Sequence, residues 1–393
     1  MIIETITHPS GDQLPILLDG DGLPIPSPNE FILSRRYLST NTLVRNLREL
    51  AVFYRWLGKS DLRERILSNK FFTEGEIQGS LIESLRRDQG SSKAIVKLAI
   101  KPNTFNQRLT TVRQYFAWCF DVEMGSTTYD DSKYEQLREH KKRVLQFLED
   151  SFINAVPSNK GLRKGLNEKE IAFLLSKLDP FSDDGFGQDP AVRFRNYVST
   201  MIMLIYGLRP GELLCLKLED IEFGAISSIR VFRRPPDLKD VRKPRPHIKR
   251  NGRVLPIDDP VFAKNLDEYI TKWRESLEDK SEVGSDYLIL SDEGQPLSQA
   301  SITQFFQLLR SKYPSNLPSH LTAKALRHTF SSRVERELRT LGIDEQKRKE
   351  TLAMLRGDSS LNSQLVYTVQ ETEAQANAIL RIYQSKLLGS SKH

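Results

Sequence analysis

The chain has 393 residues, of which 38% are hydrophobic, and a formal net charge of +7 at pH 7. This length predicts two or three domains with ordinary packed cores, and the charge favours a polyanionic partner. No apolar run is long enough to span a membrane, and the first residues, Met-Ile-Ile-Glu-Thr, lack the basic head and apolar core of a signal peptide. Cys119 and Cys215 lie in apolar helical patterns, which predicts buried thiols in a reducing compartment. A cytoplasmic protein is therefore expected.

Residues 1–30 are predicted to form a short β-hairpin with an extended lead-in. Apolar and polar residues alternate around Leu14 to Leu18, and Pro24, Pro26 and Pro28 follow. Because no basic residue precedes Arg35, we expect no direct contact between this segment and a polyanion.

Residues 31–157 are predicted to form an all-helical domain. A helix begins at Ser39-Thr-Asn41, which are good capping residues, and its apolar positions recur at three- and four-residue steps. These positions are Leu43, Leu47, Leu50, Tyr54 and Leu57. The opposite face carries Arg45, Arg48 and Arg55, which form either a solvated basic face or a surface that contacts a nucleic-acid backbone. Further helical patterns cover residues 76–87, 104–120 and 134–152.

Residues 158–165 are predicted to be a linker, because the composition becomes small, polar and basic and loses its helical period. Lys160, Arg163 and Lys164 either cross a nucleic-acid groove or serve solubility alone. A second domain follows at 166–370, and 371–393 is predicted to form a C-terminal helix. Its apolar stripe belongs either to its own domain or to an interface with a neighbouring protomer, and consists of Ile379, Tyr383 and Leu387.

The second domain is predicted to be helical with one inserted antiparallel sheet. Asp189-Pro190 begins a helix that Gly207 ends, and Pro210 suits the first turn of the next helix. Arg209 is thereby held at a helix start, where exposed amides favour an anion. Glu212 is interpreted as a structural residue that pairs locally.

Strands are predicted at 228–232 and 252–257. The segment that joins them, 233–250, contains eight lysines and arginines and is either disordered or presented to a partner. A further strand and turn at 287–296 precede a helix that begins at Ser298.

The segment 323–367 contains a pair of cations and a tyrosine. Lys324 and Arg327 lie three residues apart and share one helix face, and a phosphate diester is the first candidate for an anion between them. Tyr367 follows forty residues after Arg327. Taken alone, this pattern is typical of a solvated basic helix with a core tyrosine.

Two boxes change that interpretation. The stretch Gly207-Leu-Arg209-Pro-Gly-Glu212-Leu resembles the first box of the tyrosine recombinases, also called the phage integrase family, which reads Gly-Leu-Arg-x-x-Glu-Leu. The stretch Lys324-Ala-Leu-Arg327-His-Thr-Phe resembles their second box, His-x-Leu-Arg-His-Thr-Phe. The order, spacing and flanking residues agree with the family from about Gly165 to Tyr367.

The same family has Leu-Gly-His-Ser-Ser after the second box, with its nucleophilic tyrosine nine residues beyond that histidine. Tyr367 lies nine residues after Asp358. Lys324 and Asp358 depart from the family, which usually has histidine at the first position and histidine or tryptophan at the second. An ionised aspartate would repel a phosphate unless it turned toward a neighbouring cation.

The resemblance implies a mainly α fold with a small antiparallel β-sheet in the C-terminal domain. A helical core-binding domain and the catalytic domain would form a C-shaped clamp around DNA. The implied catalytic positions are Arg209, Lys249, Lys324, Arg327, Asp358 and Tyr367. Lys249 is the candidate proton donor, with Lys243 and Lys239 as alternatives on the same loop.

The partner implied is double-stranded DNA, on which four protomers assemble, with a monomer or dimer when free. Candidate DNA contacts are Arg45, Arg48, Arg55, Lys160, Arg163, Lys164, Lys243 and Arg250. Neither a metal nor another cofactor is implied. A site-specific recombinase or integrase of a bacterial mobile element, acting on the nucleoid, is favoured. The alternatives are a DNA-binding relative with weak or partner-dependent cleavage and an enzyme like the type IB topoisomerases.

Overall fold

A computed structural model describes residues 1–58, 60–87, 99–127, 132–154, 165–224, 227–248, 252–358 and 369–389. The chain divides into two compact units, Met1–Lys160 and Gly161–His393. Each unit has a hydrophobic core of its own. In the described parts of the chain, no helix combines the length and the apolar character that crossing a membrane requires.

The first unit opens with the predicted hairpin. Strands β1 (Ile2–Thr7) and β2 (Gln13–Leu18) pair in antiparallel register, with Ile2 opposite Leu18. The extended lead-in is wrong from Pro26 onward, because helix α1 covers Pro26–Ser34. Pro26 stands in the first turn of α1, where a missing N–H costs nothing and the fixed φ suits a helix.

The rest of the first unit is helical, as predicted. Its elements are α2 (Thr40–Leu57), α3 (Leu62–Leu67), a π-helical segment (Gly75–Leu81) continued by α4 (Ile82–Arg86), α5 (Pro102–Gly125) and α6 (Ser132–Asp150). The apolar face of α2 is buried except for Leu57, which is half-buried. Where α2 meets α5, the hydroxyls of Tyr54 and Tyr115 lie 2.6 Å apart inside the core.

The second unit is mainly helical around one small sheet. Its α-helices are α7 (Glu168–Leu178), α8 (Pro190–Tyr206), α9 (Pro210–Cys215), α10 (Pro260–Glu268), α11 (Arg274–Glu278), α12 (Gln299–Lys312), α13 (Ala323–Thr340), α14 (Glu345–Leu355) and α15 (Val369–Gly389). A short 3-10 helix covers Leu218–Asp220, and a π-helical segment, Tyr269–Trp273, joins α10 to α11. The antiparallel sheet has the order β3 (Ile221–Glu222), β4 (Ser228–Val231), β5 (Arg253–Pro256). The predicted fold class, mainly α with a small antiparallel sheet, is confirmed.

The strand predicted at 287–290 is wrong. Tyr287 and Leu290 form only isolated bridges, to Lys217 and to Pro296. The backbone of this segment bonds to two different neighbours in turn, since Leu288 donates to the Leu216 carbonyl while the Ile289 carbonyl accepts from Leu297. A short run of apolar residues does not reveal how many partners a segment has, so it over-predicts a strand here.

The two cysteines are both free thiols. Cys119 is buried as predicted, and burial raises its pKa. Cys215 is half-buried rather than buried, and desolvation raises its pKa to about 11. At neutral pH both remain in the thiol form.

Helix α8 is the centre of the second unit. Every residue from Val198 to Tyr206 is buried, and α7, α9, α13 and α15 pack around this helix. Gly207 ends α8 in the left-handed conformation, with φ of 63°. A Cβ atom at Gly207 would overlap the ring of Phe330 on α13. Glycine is therefore needed at this turn for both its φ angle and its small size.

Replacing Gly207 by alanine should lower the free energy of unfolding by about 2–5 kcal/mol, because backbone strain and a steric overlap add. Gly342→Ala is the matched control. Gly342 has φ of 71°, but a Cβ atom added there would meet no atom within 4 Å, so strain alone should cost about 1–2 kcal/mol. Urea unfolding measures both, and equal losses would show that Phe330 exerts no steric constraint.

The apolar stripe of α15 is buried within its own unit. Ile379, Tyr383 and Leu387 are at most 5% exposed. The Tyr383 hydroxyl donates to the carbonyl of Leu204 at 2.8 Å, and its ring meets Phe330 edge-on. The stripe thus packs on its own unit in this protomer, and exchange of the helix with a neighbouring protomer stays a prediction.

Tyr383→Ala should therefore lower the free energy of unfolding by about 3–5 kcal/mol, the usual loss for a buried aromatic ring. Ile382, its neighbour on α15, is 36% exposed, and Ile382→Ala should change stability by less than about 0.5 kcal/mol. If thermal or urea unfolding showed equally small effects for both, α15 would lie outside the core in solution.

Candidate active site

The two predicted arginines come together at one site of the second unit. Arg209 stands at the N-terminus of α9, and Arg327 lies on the buried side of α13. Both donate to the carbonyl oxygen of Arg356, from Arg209 Nη1 at 3.3 Å and from Arg327 Nη2 at 2.9 Å. Arg327 Nη1 also donates to the Gly207 carbonyl at 2.6 Å. Main-chain oxygens thus hold both guanidinium groups in fixed positions.

Local sequence explains the position of Arg209. Asp189 caps α8 by accepting from the amides of Ala191 and Val192, Gly207 ends that helix, and Pro210 begins α9. The amide of Arg209 donates to Glu212 Oε2 at 2.9 Å. The Arg209 amide is therefore already occupied by a carboxylate of the chain.

Glu212 is a buried carboxylate beneath the arginines. It accepts from Arg209 Nη1 at 2.8 Å and from Arg253 Nη2 at 3.0 Å, and Arg327 Nη1 lies 3.8 Å away. Burial opposes ionisation, but Arg253 and Arg209 outweigh it and hold the pKa of Glu212 below its ordinary value. The interpretation of Glu212 as a locally pairing structural residue agrees with this geometry.

Asp358 is the second carboxylate of the site. Its Oδ1 accepts from Arg209 Nη2 and lies 3.3 Å from Arg327 Nη2, while Oδ2 lies 3.1 Å from Arg356 Nε. The aspartate has thus turned toward its neighbouring cations, the condition under which it would not repel a phosphate.

The site is electropositive at its centre. Burial, together with the charges of Arg209 and Arg356, lowers the pKa of Arg327 to about 9. The Arg327 side chain is 8% exposed, against 32% for Arg209 and 19% for Asp358. The site is therefore reached from solvent on the side of Arg209 and Asp358.

Lys324 lies on the first turn of α13 and is exposed. It makes no hydrogen bond or ion pair with another residue that the structure describes, and an anion shared by Lys324 and Arg327 stays a prediction. Three further predicted positions, Tyr367, Lys249 and Arg250, lie outside the described residues, as do Lys160, Arg163 and Lys164 of the predicted linker.

The basic loop between β4 and β5 is only partly presented to solvent. Arg242 is buried, pairs with Asp240, and donates to the carbonyl of Leu214 at 2.9 Å. Arg234 pairs with the buried carboxylate of Asp220. Of the two alternatives for this loop, neither disorder nor presentation to a partner describes these two arginines, because internal carboxylates pair with them.

The other candidates on described residues are exposed. Lys239 and Lys243 are exposed on the basic loop of the second unit. In the first unit, Arg45, Arg48 and Arg55 are exposed on α2. Arg45 lies 3.7 Å from Glu49, which neutralises part of its charge.

Sequence reasoning missed Arg253 and Arg356. Arg253 is the first residue of β5, opposite Val231 of β4, and only the fold brings it to Glu212. Arg356 lies two residues before Asp358, at the position of the leucine in the family's Leu-Gly-His-Ser-Ser. An arginine in place of that leucine was a signal in the sequence that could have identified Arg356.

Within the described ranges, no group of three or more His, Cys, Asp or Glu side chains could hold a metal ion.

Residues 166–342 match the sequence model of the phage integrase family. This range contains both boxes and most of the elements that build the site. The chain therefore contains a phage integrase family domain, the domain of the tyrosine recombinases, and the resemblance drawn from the two boxes is confirmed. Comparison with curated protein sequences gives no match.

The chain is similar to solved structures of a site-specific recombinase and of two integrases. The XerH site-specific recombinase bound to difH substrate in a pre-cleavage complex is 17% identical, with a TM-score of 0.41 over 89% of this chain and 83% of that one. The Tn1549 transposon integrase in complex with transposon right end DNA is 17% identical, with a TM-score of 0.40 over 84% and 97%. A lambda integrase dimer bound to a COC′ core site is 14% identical, with a TM-score of 0.44 over 88% and 76%.

Replacing Glu212 by glutamine should lower the free energy of unfolding by about 3–5 kcal/mol, because buried arginines would lose their shared anion. The pKa of Glu212 is depressed, so its contribution is present above the unfolded value of about 4.3 and is lost as pH falls through the lower folded value. Because glutamine does not titrate, the Glu212→Gln variant should lack the part of the acid-induced loss of stability that protonation of Glu212 causes.

Glu222→Gln is the control for this prediction. Glu222 pairs with Arg230 at 2.9 Å, but both side chains are more than 40% exposed, so the change should cost less than about 1 kcal/mol. Equal unfolding free energies for the two variants, measured across pH, would contradict a supporting role for Glu212.

Proposed function

We propose that this chain is a tyrosine-type site-specific DNA recombinase or integrase, which cleaves and rejoins strands through a covalent 3′-phosphotyrosine intermediate. The observation that carries this proposal is the meeting of Arg209 and Arg327. They come from two distant boxes, yet their guanidinium groups bond to one carbonyl and one carboxylate. Such a pair of fixed guanidinium groups suits the two non-bridging oxygens of a phosphodiester.

The arginines would act on charge that develops during the reaction. A phenol has a reference pKa of about 10, so Tyr367 attacks phosphorus only where cations reduce the cost of its ionisation. The Tyr367 oxygen forms a bond to phosphorus, the bond from phosphorus to the 5′ oxygen breaks, and Lys249 supplies the proton to that oxygen. Loss of one such electrostatic contact typically costs ~10² to 10³ in rate.

Lys324 completes the cationic set in this proposal. It is exposed on the same helix as Arg327 and one turn nearer the helix start. An ammonium on a flexible stem can follow a phosphate oxygen to that side of the site. Rejoining is the reverse of cleavage on another strand, so the bond energy is retained in the phosphotyrosine and no nucleotide is needed.

The two units would divide the work of binding double-stranded DNA. The exposed arginines of α2 suit the phosphate backbone, and Lys243 and Arg250 of the basic loop would add contacts from the second unit. Exchange between two duplexes requires four cuts, which a tetramer on DNA would coordinate, with a monomer or dimer when free. The place of action would be the nucleoid in the cytoplasm.

A second candidate function is supported by one observation. The carboxylate of Asp358 already lies among the cations that a phosphate would contact. A DNA-binding relative that cleaves weakly, or only with a partner, would have this arrangement if Asp358 stayed in place during binding.

Tyr367→Phe should abolish covalent attachment to a duplex that traps the cleaved strand, while leaving duplex affinity nearly unchanged, because only the hydroxyl is lost. Tyr313→Phe is the control and should attach normally. A denaturing gel measures the adduct, and a strand-exchange assay follows its resolution.

A normal adduct with Tyr367→Phe would contradict the assignment of the nucleophile. No adduct with the unmodified chain would favour the DNA-binding relative, and relaxation of supercoiled DNA without strand exchange would favour a topoisomerase.

A further inference from the structure

The candidate active site holds three guanidinium groups around one carboxylate. Asp358 contacts the side chains of Arg209, Arg327 and Arg356, and the Arg356 carbonyl accepts from the other two arginines. The Arg356 carbonyl thus fixes this residue at the site, and the Arg356 side chain contacts the carboxylate of Asp358. The family's pattern has neither an arginine nor an aspartate at these two positions.

We propose that Asp358 is a resident anion that occupies the phosphate site of the free protein, and that Arg356 is a third phosphate-binding guanidinium. When phosphate displaces the aspartate, Arg356 joins Arg209 and Arg327 in contacting it. The inference deepens the proposed function, on which it rests for the identity of the phosphate as a DNA phosphodiester.

The charges of the cluster favour an exchangeable anion. Four arginines, including Arg253, face two carboxylates, Glu212 and Asp358. A carboxylate and a phosphodiester each carry one negative charge on two oxygens, and both accept paired donors from guanidinium groups. Substitution of one for the other leaves the charge of the site unchanged, so the same part of the arginines' positive charge is neutralised before and after the exchange.

The two carboxylates differ in how easily they could leave. The Glu212 side chain is 3% exposed, accepts from a backbone amide and is fixed beside Arg253. The Asp358 side chain is 19% exposed, and its contacts here are to side chains. Asp358 is therefore the carboxylate that an incoming anion can reach and replace.

Arg356 has a donor to spare for that anion. Its Nε lies 3.1 Å from Asp358 Oδ2, yet the N–H is not aligned for a hydrogen bond to it. Among the described residues, this buried Nε meets no hydrogen-bond acceptor. A buried donor without a partner costs free energy, which an aligned phosphate oxygen would recover.

The test uses the full chain and inorganic phosphate as the probe. Thermal unfolding and calorimetric titration would compare the unmodified protein with Asp358→Asn, in phosphate and in chloride at equal ionic strength. We expect Asp358→Asn to have a lower melting temperature than the unmodified chain in chloride, and a larger rise of that temperature when phosphate replaces chloride. The variant should also bind phosphate at least about tenfold more tightly than the unmodified chain.

Asp258→Asn is the matched control. Asp258 pairs with Arg381 of α15 at 2.9 Å and not with an arginine of the site, so the same change of carboxylate to amide should produce no added response to phosphate. If Asp358→Asn does not fold in chloride, recovery of folding by phosphate would support the inference and failure to recover would overturn it.

The role of Arg356 needs a second change. Arg356→Leu, made in the Asp358→Asn chain, should remove most of the gain in phosphate affinity. An undiminished gain would overturn the assignment of Arg356, and equal phosphate affinity in the Asp358→Asn and unmodified chains would overturn that of Asp358.

The covalent adduct with duplex DNA distinguishes this inference from the proposed function. Phosphate results as expected without any adduct would leave the anion site standing and remove the recombinase. An adduct, together with an unchanged phosphate affinity in Asp358→Asn, would support the recombinase and overturn the resident anion.

Discussion

The second unit depends on one buried carboxylate, that of Glu212. Guanidinium groups packed together in a protein interior repel one another strongly, because the surroundings screen their charges far less than water does. Glu212 lies between Arg209, Arg253 and Arg327 and neutralises part of that charge. One of its oxygens also accepts a hydrogen bond from the backbone amide of Arg209. The same carboxylate therefore shapes the first turn of α9 and permits the arginines to converge.

The turn at Gly207 connects this electrostatic arrangement to the hydrophobic core. Helix α8 is buried along most of its length, so its end is placed by packing and not by charge. The Gly207 carbonyl accepts from Arg327, and Arg209 follows two residues later. Because Phe330 packs against Gly207 from α13, the helix that carries Arg327 is fixed against the turn that carries Arg209. The precision of the site thus comes from tightly packed apolar surfaces beneath it.

Local features of the fold were predictable because local hydrogen bonds decide them. The helix start at Asp189 follows from a cap that accepts the nearby amides of Ala191 and Val192. The strands predicted at 228–232 and 252–257 lie within one residue of the observed bounds, Ser228–Val231 and Arg253–Pro256. Long-range features were not predictable from the sequence. Arg253 reaches Glu212 only because the sheet places it there, and residues 287–290 form bridges to two separate segments. Pairing of Arg209 with Arg327 was predictable only from the two boxes, and the contacts of Asp358 required the folded chain.

Net charge says little about which cations are available to a partner. Arg234 and Arg242 add to the formal charge, yet their carboxylate partners leave them with structural roles. Lys324 is exposed and Arg209 is one-third exposed, so these two side chains meet an approaching anion first. Exposed cations attract a polyanion over distance, but salt screens them. The enclosed arginines are screened less, and Glu212 and Asp358 neutralise part of their charge. Only an anion that reaches these arginines directly would therefore compete with the two carboxylates for their donors.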